Sequence, residues 1–233
     1  MKFDDRTVLV TGAAGHLGKA VAATFRRGGA RVVLLDRQAS ALEKAFGKSD
    51  DALLLAADLL DREQLKAAMA QAVARFGRVD VMCHLAGGFR MGEAVHETSP
   101  ETWNFLLDLN ARTLLNVAAV VVPHMIERGG GSIVTVGAGA ATRGMANMGA
   151  YCASKSALIR LTESMSAELK DRKINVNCVL PSIIDTPDNR AAMPDANPAS
   201  WVAPDALADA IAFLASDAAR AIHGAALPVT GLV

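Results

Sequence analysis

Tyr151 and Lys155 are the two residues whose types and spacing suggest chemistry most directly. Tyr151 is the only tyrosine in the 233 residues of the sequence, and a four-residue step places two side chains on one face of a helix. A free phenol has a pKa of about 10, and a nearby ammonium group favours the phenolate and lowers that pKa. The pair predicts a tyrosine that gives and takes protons, although the same spacing arises by chance in many helices.

A glycine-rich turn between two predicted strands is the second candidate site. The apolar run 7–10 predicts a buried strand, and Thr11-Gly12-Ala13-Ala14-Gly15-His16-Leu17-Gly18 follows it. A helical pattern then continues to Arg27, and the run 31–36 predicts a second buried strand that ends on Asp36. Strand, glycine turn, helix, strand and acid in this order predict a dinucleotide-binding unit.

Each part of this unit has a physical task. Glycines allow a tight turn and a close approach to a pyrophosphate, and the free N–H groups at the start of the helix bind that anion. The expected cofactor contacts are Gly12, Gly15, His16, Leu17 and Gly18. Asp36 can accept hydrogen bonds from the adenosine ribose and would repel a 2′-phosphate, which favours NAD over NADP. Arg37 can weaken that preference, and an ordinary turn with a surface Asp36 is the alternative.

The remaining chain alternates between predicted strands and helices. Strands are predicted at 53–57, 79–85, 131–136, 174–180 and 224–229, with helices at 61–76, from Ser99, around Tyr151 to Leu169, and at 206–215. This alternation predicts an α/β fold: a doubly wound parallel sheet, or Rossmann fold, with helices on both faces and a single domain over 1–233. A proline-rich substrate loop is expected at 181–204.

In such a sheet the ligand lies beyond the carboxyl ends of the strands. Gly12, Asp36, Asp58, Gly87, Ala138 and Ser182 all stand at those ends. Asn110 lies on the apolar side of the helix that starts at Ser99. Because a buried amide must find partners, Asn110 is either a helix-bending residue or part of a polar site.

Composition narrows the function classes. The sequence holds 24 acidic and 24 basic residues, which gives no electrostatic footprint for nucleic acid or a membrane surface. Residues 1–6 lack an apolar signal-peptide core, and the apolar run 114–126 is too short to span a bilayer. The isolated Cys83, Cys152 and Cys178 suit neither a disulfide framework nor a metal site. A cytoplasmic protein without metal is expected.

Jointly, these residues resemble the short-chain dehydrogenase/reductase family over essentially the whole chain. The motifs that carry the resemblance are Thr11-Gly12…Gly15…Gly18, Asp58, Ala86-Gly87, Asn110, Tyr151-x-x-x-Lys155 and Pro181…Thr186. The resemblance implies an NAD(P)-dependent dehydrogenase/reductase that transfers hydride to or from a small-molecule substrate. It also implies a homodimer or homotetramer.

The resemblance further implies a role for each matching residue. Tyr151 would be the general acid in reduction and the base in oxidation. Lys155 would bind the nicotinamide ribose and lower the pKa of Tyr151, and Asn110 would hold a water in a proton relay. The remaining cofactor contacts would come from Asp58 and Leu59 beside the adenine, from Ala86 and Gly87, and from Ile184 and Thr186 at the nicotinamide carboxamide.

The sequence also departs from the family pattern. The glycine spacing, with His16 in place of a glycine, resembles a longer sugar-nucleotide branch and leaves an epimerase or dehydratase open. The family usually has a serine about 13 residues before the tyrosine, and Ala138 stands there instead. Losing one such donor to a carbonyl oxygen can cost about 100-fold in rate. Thr142 and Asn147 are the nearest candidates to replace it.

Quinonoid dihydropteridine reductases, a subgroup of the family, also lack this serine. The segments 179–181, 185–190 and 193–196, together with Trp201, are similar to that subgroup. A quinonoid ring takes hydride into a conjugated system, so the serine is less necessary for it. The sequence therefore predicts an oxidoreductase for a carbonyl, hydroxyl or quinonoid substrate. The alternatives are a dihydropteridine-reductase-like enzyme and a weakly catalytic NAD-binding module. Apolar residues such as Met145 and Trp201 are expected to face a flat or hydrophobic substrate.

Overall fold

The structure is a computed structural model that describes residues 1–233. Its centre is a seven-stranded parallel sheet with the strand order β3-β2-β1-β4-β5-β6-β7. The strands are β1 Thr7–Thr11, β2 Arg31–Asp36, β3 Ala52–Ala56, β4 Val81–His84, β5 Gly131–Val136, β6 Ile174–Pro181 and β7 Ala226–Val229. The predicted doubly wound parallel sheet is confirmed.

Helices cover both faces of this sheet. They are α1 His16–Arg27, α2 Ala39–Phe46, α3 Arg62–Phe76, α4 Pro100–Leu107, α5 Thr113–Glu127, α6 Gly149–Leu169, α7 Pro187–Ala192 and α8 Pro204–Ala215. One hydrophobic cluster packs α3, α5 and α6 on one face of the sheet. A second cluster packs α1, α2 and α8 on the other face. The two layers bury the sheet, as its continuous apolar strands require.

A π-helical turn, Asp108–Arg112, joins α4 to α5 without a break. The resulting helical segment Pro100–Glu127 reaches a mean hydropathy of 1.6 and is long and apolar enough to cross a membrane by length and composition alone. This helical segment is longer than the apolar run 114–126, which by itself is too short to span a bilayer. The segment packs against α3 and α6, and Leu114 and Met125 are fully buried in the fold. Its apolar content therefore has a place in the protein core.

Several predicted elements differ from the structure. The strand predicted at 79–85 is shorter, because the Val79 N–H donates to His124 Nε2 and the Leu85 N–H donates to Thr11 Oγ1. The loop 181–204 contains α7, which Thr186 caps by accepting the Asn189 N–H. Helix α2 was not predicted.

The sheet register brings the candidate residues to one edge. Thr11, His84, Thr135 and Cys178 pair across β1, β4, β5 and β6 and form one row. The backbone that follows this row turns over the carboxyl edge of the sheet, where a ligand of such a fold binds.

Candidate active site

The glycine-rich turn connects β1 to α1 and has little room for side chains. Gly12 has φ +65°, a conformation that favours glycine. A Cβ added to Gly18 would lie 2.4 Å from the carbonyl oxygens of both Gly12 and Ala13. The sequence therefore needs glycine at these two positions, as the dinucleotide-binding interpretation expects.

The amino terminus of α1 is arranged to receive an anion. Gly15 caps the helix without a side-chain hydrogen bond, and the first turn contains no acidic residue. Gly15 and His16 are exposed, and Leu17 is half-buried. The unpaired N–H groups and the positive end of the helix dipole suit a pyrophosphate, so these residues fit the cofactor that the sequence predicts.

Asp36 ends β2 and is held beside this turn. Its carboxylate accepts the Ala14 N–H at 3.0 Å and the Arg37 N–H at 2.8 Å. Each oxygen keeps a lone pair that can accept a ribose hydroxyl. The Arg37 side chain is exposed.

The two residues predicted beside the adenine differ in their exposure. Asp58 is half-buried, and its carboxylate accepts the Leu60 N–H at 2.9 Å. The Leu59 side chain is only 9% exposed and belongs to the hydrophobic core. Of this pair, Asp58 presents its side chain at the rim of the site.

Asn110 clamps the loop that follows β4. Its Oδ1 accepts the Gly88 N–H at 2.9 Å, and its Nδ2 donates to Gly88 O and to Ser154 Oγ, both at 3.0 Å. The residue is fully buried in the π-helical turn. Asn110 therefore lies where the helix is distorted, and its side chain also bonds other polar groups. Both N–H groups of its amide are used by protein acceptors.

Lys155 lies on α6 beside this clamp. Its Nζ donates to Val136 O at 2.9 Å, and the residue is 5% exposed. Burial lowers the pKa of Lys155 to about 8. A Cβ added to Gly87 would lie 2.8 Å from Lys155 Nζ and 2.9 Å from Asn110 Oδ1. The bare backbone of Gly87 is therefore the place where both polar groups meet.

Tyr151 lies on α6 one turn before Lys155 and packs edge-on against Phe89, with 4.8 Å between the ring centroids. Burial, with a smaller effect of Cys152, raises the pKa of Tyr151 to about 12. The family resemblance implies that Lys155 lowers this pKa; in the protein alone burial raises it, and the Lys155 ammonium is directed to Val136 O. Tyr151 is thus a neutral phenol at neutral pH.

A pocket opens beside Tyr151. It is lined by Arg90, Met91, Glu93, Thr98, Thr102, Asn147, Met148, Gly149, Ala150 and Tyr151. Asn147 belongs to this lining and has φ +59°. Thr142 does not, and its hydroxyl donates to Gly139 O at 2.8 Å. Ala138 is buried and offers no side-chain donor.

The loop 181–204 folds back on itself. Ile184 pairs with Val202, and Ile184 O accepts from Asn189 Nδ2 at 2.8 Å. Thr186 caps α7, so its oxygen has a protein partner. Trp201 is only 7% exposed. Met145 is 40% exposed.

Two further side chains near the site bear on its chemistry. Cys152 is buried, and its Sγ contacts Ala140 O at 3.3 Å. His84 is fully buried at the end of β4, where its ring lies between Thr11 and Thr113. The sequence reasoning missed His84, although a histidine that ends a buried strand is itself a signal, because a core histidine must find partners for two ring nitrogens. No cluster of three or more His, Cys, Asp or Glu side chains could hold a metal ion.

Comparison with known proteins agrees with this geometry. Residues 6–197 match the family model for short chain dehydrogenase. The D-threitol dehydrogenase of Mycolicibacterium smegmatis is 33% identical, with 99% of this chain and 93% of that protein covered. The cis-4-hydroxycyclohexanecarboxylate dehydrogenase of Sinomonas cyclohexanicum is 34% identical, with 98% and 96% covered.

A solved structure gives the same result. The 3-ketoacyl-(acyl-carrier-protein) reductase from Brucella melitensis, complexed with NADH, superposes with a TM-score of 0.89 at 31% identity, and 98% of each chain is covered. The similarity thus extends over the full sheet and over both candidate sites described above.

Proposed function

This chain belongs to the short-chain dehydrogenase family of NAD(P)-dependent oxidoreductases, and on that premise we propose that it interconverts a carbonyl and a hydroxyl substrate with NAD, with Tyr151 as the general acid or base. Residues Lys155 and Asn110 complete the proposed catalytic centre. The proposal also assigns the loop 181–204 to the substrate.

The convergence of Lys155 and Asn110 on the backbone of Gly87 carries this proposal. Both groups approach within 3 Å of the position that a Gly87 side chain would take. Ser154 ties this arrangement to α6, because its hydroxyl accepts from Asn110 Nδ2 and donates to Tyr151 O. A β4 loop, a π-helical turn and α6 are thereby fixed around one point at the carboxyl edge of the sheet.

Each residue then has a defined task. The bound nicotinamide supplies or accepts the hydride. Tyr151 donates its phenolic proton to the substrate oxygen in reduction, for which a neutral phenol is the correct starting state. The Lys155 ammonium, once it turns from Val136 O toward a ligand, stabilises the phenolate that remains. Asn110 holds the Gly88 backbone and with it the floor of the site.

We assign the missing hydrogen bond to Asn147. Ala138 has no hydroxyl, and Thr142 lies outside the pocket, whereas Asn147 lines the pocket together with Tyr151. A side-chain amide can donate to a developing oxyanion, and removal of such a donor costs about 100-fold or more in kcat. Asn147→Ala is therefore expected to lower kcat on a ketone far more than it changes the Kd of NADH. Equal kcat values of the wild type and Asn147→Ala would exclude Asn147 as the hydrogen-bond donor.

NAD is the proposed cofactor in preference to NADP. The Asp36 carboxylate is fixed at the end of β2 by two backbone N–H groups, where it would repel a 2′-phosphate. We expect NADPH to bind at least about tenfold more weakly than NADH, a difference of about 1.4 kcal/mol. Asp36→Ser should narrow that gap. A wild type with equal affinity for both cofactors would contradict the assignment.

The names of the relatives support the proposed substrate class. The named relatives act on hydroxyl or keto compounds, so a small alcohol or ketone is proposed here. The quinonoid dihydropterin prediction rests on the sequence similarity in 179–201 and stays a second candidate. Ala138 favours it, because hydride transfer into a conjugated ring needs no serine at that position.

The experiment is a turnover assay with NADH. Ketones, hydroxyl compounds with NAD, quinones and quinonoid dihydropterin are tested with the wild type and with Tyr151→Phe. Oxidation of NADH by the wild type and its loss in the variant are expected. Tight NADH binding without turnover of any compound would favour an NAD-binding module. Copurification of NAD would point to an epimerase or dehydratase.

We also propose that the protein is a homodimer or homotetramer. Trp103 on α4 is 42% exposed and Leu115 on α5 is 46% exposed. Both are large apolar side chains on the helical segment Pro100–Glu127. Large apolar side chains at a surface often mark an interface. Light scattering should give a mass above that of one chain, 24.3 kDa, and a monomeric mass would exclude this assignment.

A further inference from the structure

His84 occupies an unusual place at the centre of the molecule. It ends β4 in the middle of the sheet and is 0% exposed. Its Nδ1 lies 3.1 Å from Thr11 Oγ1, and its Nε2 lies 3.3 Å from Thr113 Oγ1. The imidazole thus bridges the last residue of β1, next to the glycine-rich turn, and the first residue of α5, next to the π-helical turn.

The direction of every hydrogen bond in this bridge follows from counting donors. Thr11 Oγ1 accepts the N–H groups of Leu85 at 3.2 Å and Ala86 at 3.3 Å. Both lone pairs of that oxygen are then used, so its O–H must donate to His84 Nδ1. The ring proton therefore resides on Nε2 and is donated to Thr113 Oγ1.

The chain of hydrogen bonds continues into the π-helical turn. The Thr113 O–H donates to Leu109 O at 2.8 Å, and Leu109 immediately precedes Asn110. A hydroxyl that donates to the carbonyl four residues earlier is a known cause of helix bending. A π-helical turn in a helix often marks a functional site.

We propose that His84 is a positioning residue of the catalytic centre: as a neutral imidazole with its proton on Nε2, it fixes the turn of Asn110 to the nucleotide-binding turn. The inference rests on the proposed function for its catalytic consequence. Through this bridge, the element that holds the cofactor and the element that clamps Gly88 keep one relative position.

A purely space-filling role does not explain the arrangement. An apolar side chain at position 84 would leave the Thr11 O–H and the Thr113 oxygen without these partners in a dry interior, which is unfavourable for each group. A charged imidazole would be worse, because it would lose its hydration and face the Lys155 ammonium. Burial and that ammonium together hold the pKa of His84 at about 3, which keeps the ring neutral in the working pH range.

Two variants, His84→Asn and Thr113→Val, each remove the hydrogen bond between His84 Nε2 and Thr113 Oγ1. The first removes its donor and the second its acceptor. In His84→Asn the shorter side chain can still present an oxygen where Nδ1 lies and accept from Thr11, but it does not reach Thr113. Thr113→Val keeps the shape and removes the hydroxyl. Thr162→Val is the matched control, because Thr162 is equally buried and also donates to the carbonyl four residues earlier, Leu158 O.

The first readout is hydrogen exchange of the Gly88 amide, which Asn110 Oδ1 accepts, in the protein with NADH. Both variants should speed this exchange about tenfold or more, and the control should not. The second readout is kinetic. Since misplacement of a catalytic group by 1 Å can cost about 100-fold, kcat should fall at least about tenfold in both variants, with the Kd of NADH within twofold of the wild type. The double variant should be no worse than either single variant.

Several results would overturn the inference. These are unchanged Gly88 exchange in Thr113→Val, additive effects of the two substitutions, or an equal loss of kcat in the Thr162 control. If His84→Asn does not fold, Gly88 amide exchange and kcat of Thr113→Val alone test the inference. Failure of the proposed function is a separate outcome, because it would appear as absence of turnover in the wild type, whereas the exchange readout needs no turnover.

Discussion

At the scale of single residues, burial shifts the two central pKa values in opposite directions. The phenol of Tyr151 becomes a weaker acid, with a pKa of about 12, and the ammonium of Lys155 becomes a stronger one, with a pKa of about 8. Each shift favours the uncharged form of its own group, as loss of hydration requires. The site therefore holds a protonated phenol and a lysine that titrates just above neutral pH.

This titration predicts the pH dependence of the reduction reaction. Below pH 8 Lys155 carries its charge and can stabilise the phenolate of Tyr151; above pH 8 the ammonium deprotonates and that stabilisation is lost. The kcat for reduction should therefore fall as pH rises through about 8. Lys155→Arg stays charged at these pH values. The activity that this variant retains should therefore not fall as pH rises through about 8. A wild-type profile that is flat up to pH 10 (roughly two units above that pKa) would disagree.

At the scale of elements, glycines let separate elements approach one another. At Gly18 the obstacle to a side chain is backbone, since two carbonyl oxygens lie 2.4 Å from the added Cβ. At Gly87 the obstacle is the flexible end of Lys155, with Asn110 Oδ1 next to it. Substitution by alanine should therefore act on the fold at Gly18 and on the candidate active site at Gly87.

Gly87→Ala and Gly18→Ala test this difference. In Gly87→Ala both Lys155 Nζ and Asn110 Oδ1 must move, so we expect kcat to fall about 100-fold with a smaller loss of stability than in Gly18→Ala. In Gly18→Ala the backbone of the turn must move, and we expect a loss of stability of about 3 kcal/mol together with loss of NADH binding. Chemical denaturation and NADH titration measure both. Unchanged activity of Gly87→Ala would contradict the placement of Lys155.

The sequence predicted elements best where local pattern and tertiary structure agree. The strand ending at Asp36 and the strand before Ala138 were predicted with the bounds that the structure shows. The strand before Gly87 was predicted too long, because side-chain acceptors on other elements take its terminal N–H groups. Spacing along a helix predicted that Tyr151 and Lys155 share a face, but it could not show the burial that raises the pKa of Tyr151. The bridge through His84 joins residues far apart in the chain, which no local pattern reports.

At the scale of the whole molecule, the carboxyl edge of the sheet assembles one site from most of the chain. The turn after β1, the end of β2, the loop after β4, the π-helical turn and α6 contribute groups to it, and the central row of the sheet holds the strands in register. The same row buries His84, so the stability of the entire protein is linked to the protonation of a residue next to the site.

Acid should therefore destabilise the protein through His84. Its folded pKa of about 3 lies below the ordinary value of 6.5, so the unfolded state binds more protons between those values and stability falls as pH decreases below 6.5. At pH 4.5 (roughly two units below the unfolded pKa) the loss is about 3 kcal/mol. The stability advantage of the wild type over His84→Asn should shrink by that amount between pH 7 and pH 4.5. A constant difference would show that His84 does not titrate in this way.

The most direct test of the proposed centre compares the wild type with Tyr151→Phe at saturating NADH and substrate. Tyr151 is the proposed proton donor of the site, and general acid catalysis contributes about 100- to 10000-fold. We expect kcat to fall by at least about 100-fold while the Kd of NADH stays within about twofold, since the hydroxyl acts on the reacting oxygen. Oxidation of NADH by the variant at the wild-type rate would exclude Tyr151 as the proton donor.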